Sequence, residues 1–332
     1  MTYVVGLLDK SPIAKDETAA AALARTVRLA QLAEREGFSR FWIAEHHDTA
    51  DLASPAPEVV IPYVLAATSG IRVGSGGVML QHYSPYKVAE SFNTLAALAP
   101  GRVDLGIGKA PGGLPFSTRE LQSERADGSH ADFEAKLAAL TLFLDDAQGA
   151  DRARATPRPL EPPKRFLLGA SVDSATLAAR QGWTFVFARH LNGDEALLEA
   201  ALDAYRQVGG RDPIVAVAAI VGKDRQKAAE LGEAFRPIKV HVEGRQSVTV
   251  GTEEQAREYA RQAGVADFRT TAAKPSLIAG DGADLVRELD RLGARFGIGE
   301  FIVDLFNAGD SRLEAAELIA RARAASRATV AA

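Results

Sequence analysis

The sequence contains no cysteine, only two methionines and two tryptophans, and no long apolar run. Without cysteine the chain can form no disulfide, no thiolate metal site and no cysteine nucleophile. The apolar stretch around Val59–Ala67 falls well short of the roughly 20 residues that a membrane span needs, so we expect no transmembrane helix. The first residues, Met1–Leu8, lack the basic lead-in of a signal peptide, which predicts a first strand and a cytoplasmic protein.

Neither sign of charge predominates, because the chain has 39 basic and 43 acidic side chains and a formal net charge of −4. This balance gives no reason to expect nucleic acid as a partner. The proportions, 47% hydrophobic and 25% charged, are those of a globular protein. A length of 332 residues suits either two domains of roughly 150 residues or one enlarged barrel of strands and helices.

Short apolar runs alternate with longer helical patterns along the chain. Strands are predicted at Tyr3–Leu8, Arg40–Ala44, Ile71–Leu80, Val103–Ile107, Phe166–Gly169, Thr184–Ala188, Ile214–Val221 and Glu300–Phe306. Helices are predicted at Thr18–Glu36, Pro57–Thr68, Pro85–Leu98, Ala131–Asp146, Ser174–Gln181, Glu195–Val208, Asp224–Phe235, Gly282–Phe296 and Arg312–Ala325. Such alternation predicts a parallel sheet, either open and doubly wound or closed, and eight units favour a (β/α)8 TIM barrel.

Two stretches interrupt this rhythm. Residues 109–130 are polar and glycine-rich with no regular pattern, and residues 237–276 look like an insertion that holds one further helix, Glu253–Ala263. No change of composition divides the chain, so we expect a single barrel domain over residues 1–332. Trp42, Phe92 and Tyr63 are expected to be packing residues.

In such a barrel the reactive groups follow the C-terminal ends of the strands. The second strand is followed by Glu45-His46-His47-Asp48, and because strand side chains alternate, only one of the two histidines faces the barrel axis. No His-x-His or helical His-Glu-x-x-His spacing is present, so we expect no metal. A histidine satisfied by hydrogen bonds is one interpretation; a general base or a cofactor contact is favoured.

Glycines crowd the third strand in Gly74-Ser75-Gly76-Gly77. Glycine in a buried strand has no side chain to pack, so this run indicates the close approach of a ligand, a bulge or an unusual peptide. A strand narrowed for packing inside the barrel is the alternative.

Candidate phosphate groups follow the next two strands. Lys109 lies in the glycine-rich segment Gly106–Gly113, and Ser171, Val172, Asp173 and Ser174 open the helix after the fifth strand. Exposed amides and hydroxyls at a helix N-terminus suit a phosphate. A flexible hinge is the alternative for the segment with Lys109, and an ordinary N-cap is the alternative for the start of the helix. His82 and His190, after the third and sixth strands, are candidates for the substrate pocket.

Taken in order, these segments resemble the bacterial luciferase-like monooxygenase family over nearly the whole chain. The resemblance rests on Phe41-Trp42-Ile43-Ala44-Glu45-His46-His47, Val73-Gly74-Ser75-Gly76-Gly77-Val78-Met79-Leu80, Gly106-Ile107-Gly108-Lys109 and Gly169-Ala170-Ser171-Val172-Asp173-Ser174. Val88-Ala89-Glu90 and the run from Leu95 to Arg102 extend it.

The resemblance implies a flavin-dependent barrel enzyme that uses reduced FMN and molecular oxygen. By this likeness His46 takes the role of a base or of a group that stabilises the oxygenated flavin, and Gly76-Gly77 forms a non-proline cis peptide under the flavin ring. Lys109, Ser171 and Ser174, with the amides of Val172 and Asp173, fall on the phosphate positions.

Two departures argue against light emission. Where luciferase has a reactive cysteine beside the flavin this chain has Gly108, and Lys109 replaces the phosphate-binding arginine. Lysine keeps the charge but loses the bidentate geometry of arginine.

The resemblance further implies a small-molecule substrate and a homodimer formed by the helices at Pro57–Thr68 and Pro85–Leu98. A separate flavin reductase is expected because no nicotinamide-binding fingerprint is visible in the sequence. A deazaflavin-dependent oxidoreductase, a non-catalytic flavin-binding protein and, more distantly, a metal-dependent hydrolase remain alternatives.

Overall fold

The computed structural model describes residues 3–123, 132–147, 149–243, 247–273 and 276–331. The strands are β1 (Val4–Asp9), β2 (Arg40–Ile43), β3 (Arg72–Met79), β4 (Val103–Gly108), β5 (Lys164–Gly169), β6 (Thr184–Ala188), β7 (Ile214–Val221), β8 (Ile238–His241), β9 (Val248–Val250), β10 (Arg269–Ala272), β11 (Leu277–Gly280) and β12 (Glu300–Leu305). The helices are α1 (Ala19–Arg35), α2 (Pro57–Ala67), α3 (Pro85–Leu98), α4 (Pro115–Leu121), α5 (Phe133–Asp145), α6 (Val172–Arg180), α7 (Glu195–Gln207), α8 (Arg225–Ala234), α9 (Glu253–Ala263), α10 (Gly282–Phe296) and α11 (Ser311–Ala331).

Eight parallel strands close into a barrel. Strands β1 to β6 pair in chain order, β12 pairs with β1, and β7 pairs with both β12 and β6, which completes the ring. Helices alternate with these strands along the chain. The predicted (β/α)8 TIM barrel is therefore confirmed, and its loops at the C-terminal strand ends meet at one mouth.

The insertion holds more structure than the sequence suggested. The helix expected at Glu253–Ala263 is confirmed as α9, but three short strands accompany it in an antiparallel sheet of order β10-β8-β9. A further strand, β11, pairs with Ala218–Val221 at the end of β7, so the barrel sheet has nine strands rather than the eight predicted. These strands have three or four residues each, too few for a periodic pattern to stand out.

The stretch 109–130 was expected to be irregular, but helix α4 lies within it. Pro115 opens that helix, and the Phe116 amide donates to Gln262 Oε1 on α9 at 2.9 Å. The Arg261 guanidinium lies 5.2 Å from the Phe116 ring centroid. Contact with the insertion thus accounts for order that local sequence does not indicate. Residues 124–130, and the first residue of the helix predicted at Ala131–Asp146, lie outside the described residues.

Charged side chains fill the N-terminal half of the barrel interior. Arg40 forms ion pairs with Asp104 (2.6 Å) and Glu300 (2.7 Å), and Arg72 also lies 2.6 Å from Asp104. The Trp42 indole donates to the same carboxylate at 2.9 Å. These side chains fill the N-terminal half of the barrel, and none of the charges is left unpaired, because each is in an ion pair or hydrogen bond.

Apolar side chains occupy the next part of the interior, among them Leu8, Trp42, Phe166, Val186 and Ile302. The outward faces of the strands pack against the helices in a larger cluster that includes Phe92, so Trp42 and Phe92 are packing residues as predicted. The prediction for Tyr63 is wrong, because 70% of this side chain is exposed on α2. Among the described helices, none combines the length and the apolar character that crossing a membrane requires.

The ion pairs of Asp104 with Arg40 and Arg72 and of Glu300 with Arg40, here called the Asp104 cluster, support a stability prediction. Asp104→Asn should lower the free energy of unfolding by about 3–5 kcal/mol, because Arg40 and Arg72 would stay buried without their shared carboxylate. The exposed pair Arg28–Asp310 offers a matched control, and Asp310→Asn should change the same quantity by less than about 1 kcal/mol. Urea unfolding followed by circular dichroism measures both, and equal effects of the two substitutions would contradict the assignment.

Candidate active site

The two histidines after β2 point in different directions, as strand alternation predicts. His47 Nε2 lies 2.8 Å from Glu45 Oε1. The same buried carboxylate accepts from the Tyr83 hydroxyl at 2.9 Å and from the Met79 amide at 3.1 Å. His46 takes no part in this network, and its buried Nδ1 has no hydrogen-bond partner within the described part of the chain. His46 is therefore the histidine available to a ligand.

Strand alternation brings Lys10 and Asp304 to the mouth as well. Leu8 and Ile302 face the barrel interior, so the side chains two residues later on the same strands face inward too. Lys10 Nζ lies 2.5 Å from Asp304 Oδ2, and the Asp304 side chain is 1% exposed. His190 lies nearby, and its buried Nδ1 also lacks a hydrogen-bond partner among the described residues.

These groups interact electrostatically. Burial lowers the pKa of His46 to about 4, and the charge of Lys10 adds to this while Asp304 opposes it. Burial likewise lowers the pKa of His190 to about 4, again against the effect of Asp304. Burial alone would raise the pKa of Asp304, but Lys10 and His190 bring it below its usual value. At neutral pH the mouth therefore holds two uncharged imidazoles beside one ion pair.

The glycine run of β3 carries the predicted irregularity. The Gly76-Gly77 peptide is cis, and the pairing of β3 with β4 shifts register between Ser75 and Val78. A Cβ atom on Gly77 would lie 2.8 Å from the Gly106 backbone. This is too close for any residue with a side chain, so the position requires glycine. The unusual peptide, the bulge and the tight packing are all present; a contact with a flavin remains a prediction.

The predicted phosphate groups lie at the ends of two adjacent strands. Helix α6 begins at Val172, two residues earlier than predicted, with Ser171 as its N-cap: the Ser171 hydroxyl accepts from the Ser174 amide at 3.2 Å. The amides of Val172 and Asp173 belong to the first turn and have no intrahelical acceptor. Lys109 is exposed at the end of β4, which pairs with β5. The N-cap is established, and the phosphate role stays a prediction.

His82 is buried under the stretch that follows β4. Its Nε2 lies 2.8 Å from the Pro111 carbonyl and its Nδ1 3.0 Å from Gln122 Nε2. Burial lowers its pKa. Both ring nitrogens are therefore bonded to the stretch that follows β4. The place of His82 in a substrate pocket stays a prediction.

Two cavities lie near these residues. One of about 220 Å3 opens beside Lys10 and Asp304, between the loops after β1 and β12. A larger one of about 850 Å3 is lined by Arg189 and Glu288 and contains none of the residues predicted for the site. Over the described ranges, no group of three or more histidine, aspartate and glutamate side chains is arranged to hold a metal ion.

Three residues at the mouth were given no role in the sequence analysis. Lys10 directly follows a buried strand, Asp304 follows the apolar run Phe301–Val303, and Glu45 lies in the histidine motif. The alternation rule applied to β1 and β12 would have placed Lys10 and Asp304 on the inner wall. Their pairing has no local signal, because the two strands come from opposite ends of the chain.

The comparisons with known proteins agree with this fold. The family model for luciferase-like monooxygenases matches residues 4–292. The N-acetyl-S-alkylcysteine monooxygenase of Bacillus subtilis (strain 168) is 43% identical over 307 residues, which cover 90% of this chain and 91% of that protein.

Solved structures share the architecture over almost the full length. Apo-MsnO8 is 30% identical with a TM-score of 0.75, each chain being covered to 97%. The oxygenating constituent of 3,6-diketocamphane monooxygenase from Pseudomonas putida, solved with FMN, has a TM-score of 0.68 at 17% identity and 97% coverage of both chains. An F420-dependent secondary alcohol dehydrogenase has a TM-score of 0.65 at 16% identity, with 97% of this chain and 99% of that chain covered. The last two likenesses show the fold alone. By its family match and by the extent of its likeness to the Bacillus subtilis monooxygenase, the chain belongs to the luciferase-like monooxygenase family.

Proposed function

We propose that this protein is a flavin-dependent monooxygenase that uses reduced FMN and molecular oxygen to oxidise a small organic substrate. The observation that carries the proposal is the half-buried imidazole of His46 at the barrel mouth, whose Nδ1 has no hydrogen-bond partner among the described residues; it lies at the same end as the cis Gly76-Gly77 peptide and the first turn of α6. The name of the Bacillus subtilis relative, a monooxygenase, supports it. The proposal treats residues 1–332 as one barrel domain, and the cytoplasmic location stays a prediction.

The residues present fit FMN. A phosphate would be held by the first-turn amides of Val172 and Asp173, where the helix dipole also favours negative charge. The hydroxyls of Ser171 and Ser174 lie in the same turn, and exposed Lys109 would add a positive charge from the neighbouring strand. The cis Gly76-Gly77 peptide lies near the C-terminal end of β3, where the flavin ring would lie against its backbone.

Reduced FMN, when bound, supplies the two electrons that the reaction with molecular oxygen requires. His46 stays neutral at pH 7 because burial lowers its pKa to about 4, so its imidazole would offer a hydrogen bond, rather than a positive charge, to the bound cofactor and substrate. The ion pair of Lys10 with Asp304 keeps the site free of net charge. Apolar side chains below, Leu8 and Trp42 among them, keep water out of the barrel.

The deazaflavin and carrier alternatives predict other properties. A deazaflavin has a longer acidic tail, and Lys109 is the only cation in the segment Gly106–Gly113 that could face it. This favours FMN. A non-catalytic flavin carrier would bind FMN with no need for a proton acceptor such as His46.

Partners follow from the proposed reaction. Reduced FMN would come from a separate flavin reductase. For the homodimer, the exposed apolar side chains Val59 and Tyr63 on α2 and Leu98 on α3, which are 67%, 70% and 72% exposed, provide a contact surface on the two helices expected to pair.

Flavin titration tests the cofactor. Lys109→Met should weaken FMN binding about tenfold, because it removes one charge-assisted contact, and should leave riboflavin, which has no phosphate, unchanged. The control is Lys164→Met, at the exposed N-terminal end of β5 and hence at the other end of the barrel. Flavin fluorescence measures both affinities, and binding of a deazaflavin in place of FMN would contradict the proposal.

The histidines make stability depend on pH. Because both folded pKa values lie near 4 and an unfolded histidine titrates near 6.5, the unfolded chain binds more protons between these values. The free energy of unfolding should therefore fall as the pH falls from about 6.5 to 4. His46→Gln should remove about one proton from this dependence and lower turnover at least about tenfold, with FMN affinity retained.

Denaturation at several pH values and oxygen uptake measure these effects. The control is His241→Gln in β8 of the insertion, where the ring nitrogens are bonded to Thr271 and Ser247; this change should leave turnover and FMN affinity as they are. Wild-type turnover in His46→Gln would remove the assigned role. Tight FMN binding without any oxygen-dependent product would favour the carrier.

Light scattering tests the dimer. The protein should have twice the mass of its chain, and Leu98→Glu should shift it to the monomer, because a buried unpaired carboxylate opposes association. Leu160→Glu, at a fully exposed leucine outside α2 and α3, is the matched control. A wild-type monomer at micromolar concentration would count against this surface.

A further inference from the structure

The small cavity beside Lys10 has mostly apolar walls with few polar groups. It is a half-open pocket between the loops after β1 and β12, and Leu52 lines another side. Its volume of about 220 Å3 lies below the roughly 300–1,000 Å3 of pockets for drug-sized ligands. The cavity therefore suits a small molecule with an apolar body, and its polar groups decide how that molecule is oriented.

Four lining residues carry polar side chains, and two of them are already bonded within the protein. The Asn307 amide pairs with the Val221 backbone, accepting from its amide at 3.1 Å and donating to its carbonyl at 2.8 Å. Arg312, 2% exposed, forms an ion pair with Asp9 at 2.5 Å and donates to the Leu305 carbonyl. Lys10 and Asp304 remain as the groups that a ligand can meet.

Lys10 keeps donor capacity toward the cavity. Its Nζ lies 2.5 Å from Asp304 Oδ2 and 4.5 Å from the Phe306 ring centroid, and its side chain is 23% exposed. An ammonium group has three donors, and the ion pair with Asp304 and the contact with the Phe306 ring occupy only part of the surroundings of Lys10 Nζ. Asp304 is 1% exposed, so Lys10 is the charge that the cavity presents.

We infer that Lys10 binds the carboxylate of the substrate, and that the substrate is a small organic acid with an apolar body. The inference rests on the proposed function and names its substrate class. The Bacillus subtilis relative acts, by its name, on an N-acetyl-S-alkylcysteine, which has a carboxylate at one end and an apolar alkyl group at the other.

Calorimetry with a matched acid and ester tests this inference. N-acetyl-S-propylcysteine and its methyl ester, which has no charge, are titrated into the purified protein saturated with FMN. The acid should bind at least about tenfold more tightly than the ester, as a charge-assisted contact requires. Lys10→Met should abolish that difference, whereas Lys15→Met, an exposed lysine outside the cavity lining, should preserve it.

Lys10→Met leaves Asp304 buried without its partner, so a double variant keeps the test usable if the single one fails to fold. Lys10→Met with Asp304→Leu replaces the ion pair by apolar side chains, a change that proteins often tolerate. This variant should also bind acid and ester equally. Equal binding of the two by wild type, no binding of either, or a tenfold preference that survives loss of Lys10 would overturn the inference.

The readout separates this inference from the proposed function. Binding is measured without turnover, so preference for the acid without oxygen consumption would support the Lys10 subsite and refute the monooxygenase. Oxygen-dependent conversion of acid and ester with the same KM would support the monooxygenase and refute the Lys10 subsite. In an active enzyme, Lys10→Met should raise KM for the acid at least about tenfold, whereas KM for the uncharged ester should change by less than about twofold.

Discussion

The ion pair between Arg40 and Asp104 fills the N-terminal half of the barrel, and the rest of the interior depends on it. A closed ring of eight parallel strands encloses a space that side chains must occupy. Arg40 lies 4.9 Å from the Phe166 ring centroid and 5.6 Å from that of Trp42, so the charged half passes directly into an apolar one. Beyond this apolar layer, polar side chains return at the C-terminal end of the barrel, where Lys10 and His46 lie.

Strands β3 and β4 approach so closely that the Asp104 cluster and the cis peptide both need glycine. A Cβ atom on Gly74 would lie 2.1 Å from the Asp104 carbonyl, and one on Gly106 2.2 Å from the Ser75 carbonyl. The same pair of strands shifts register beyond Ser75. Glycine-rich sequence therefore serves two purposes here, packing at the centre of the barrel and an irregular backbone at its mouth, and the sequence pattern alone does not separate them.

Much of the barrel could be predicted because its long elements carry clear periods. The eight barrel strands and the long helices follow from apolar runs and helical spacing, and His46 followed from its place after β2. The strands β8 to β11 could not be predicted, because three or four residues with mixed burial resemble a loop. Helix α4 owes its place to contacts with α9, such as the one from Phe116 to Gln262, which no local pattern shows.

The sequence by itself determined the (β/α)8 fold, the family likeness and the residue types at the strand ends, because alternation of side chains and of elements is a local property. Only the tertiary structure decided which of those residues meet. Lys10 and Asp304 come from the first and last barrel strands and become neighbours through closure of the ring. Burial, another consequence of closure, lowers the pKa of His46 and His190 to about 4, so both imidazoles stay neutral well below the pH at which a solvent-exposed histidine gains its proton; local sequence does not show this burial.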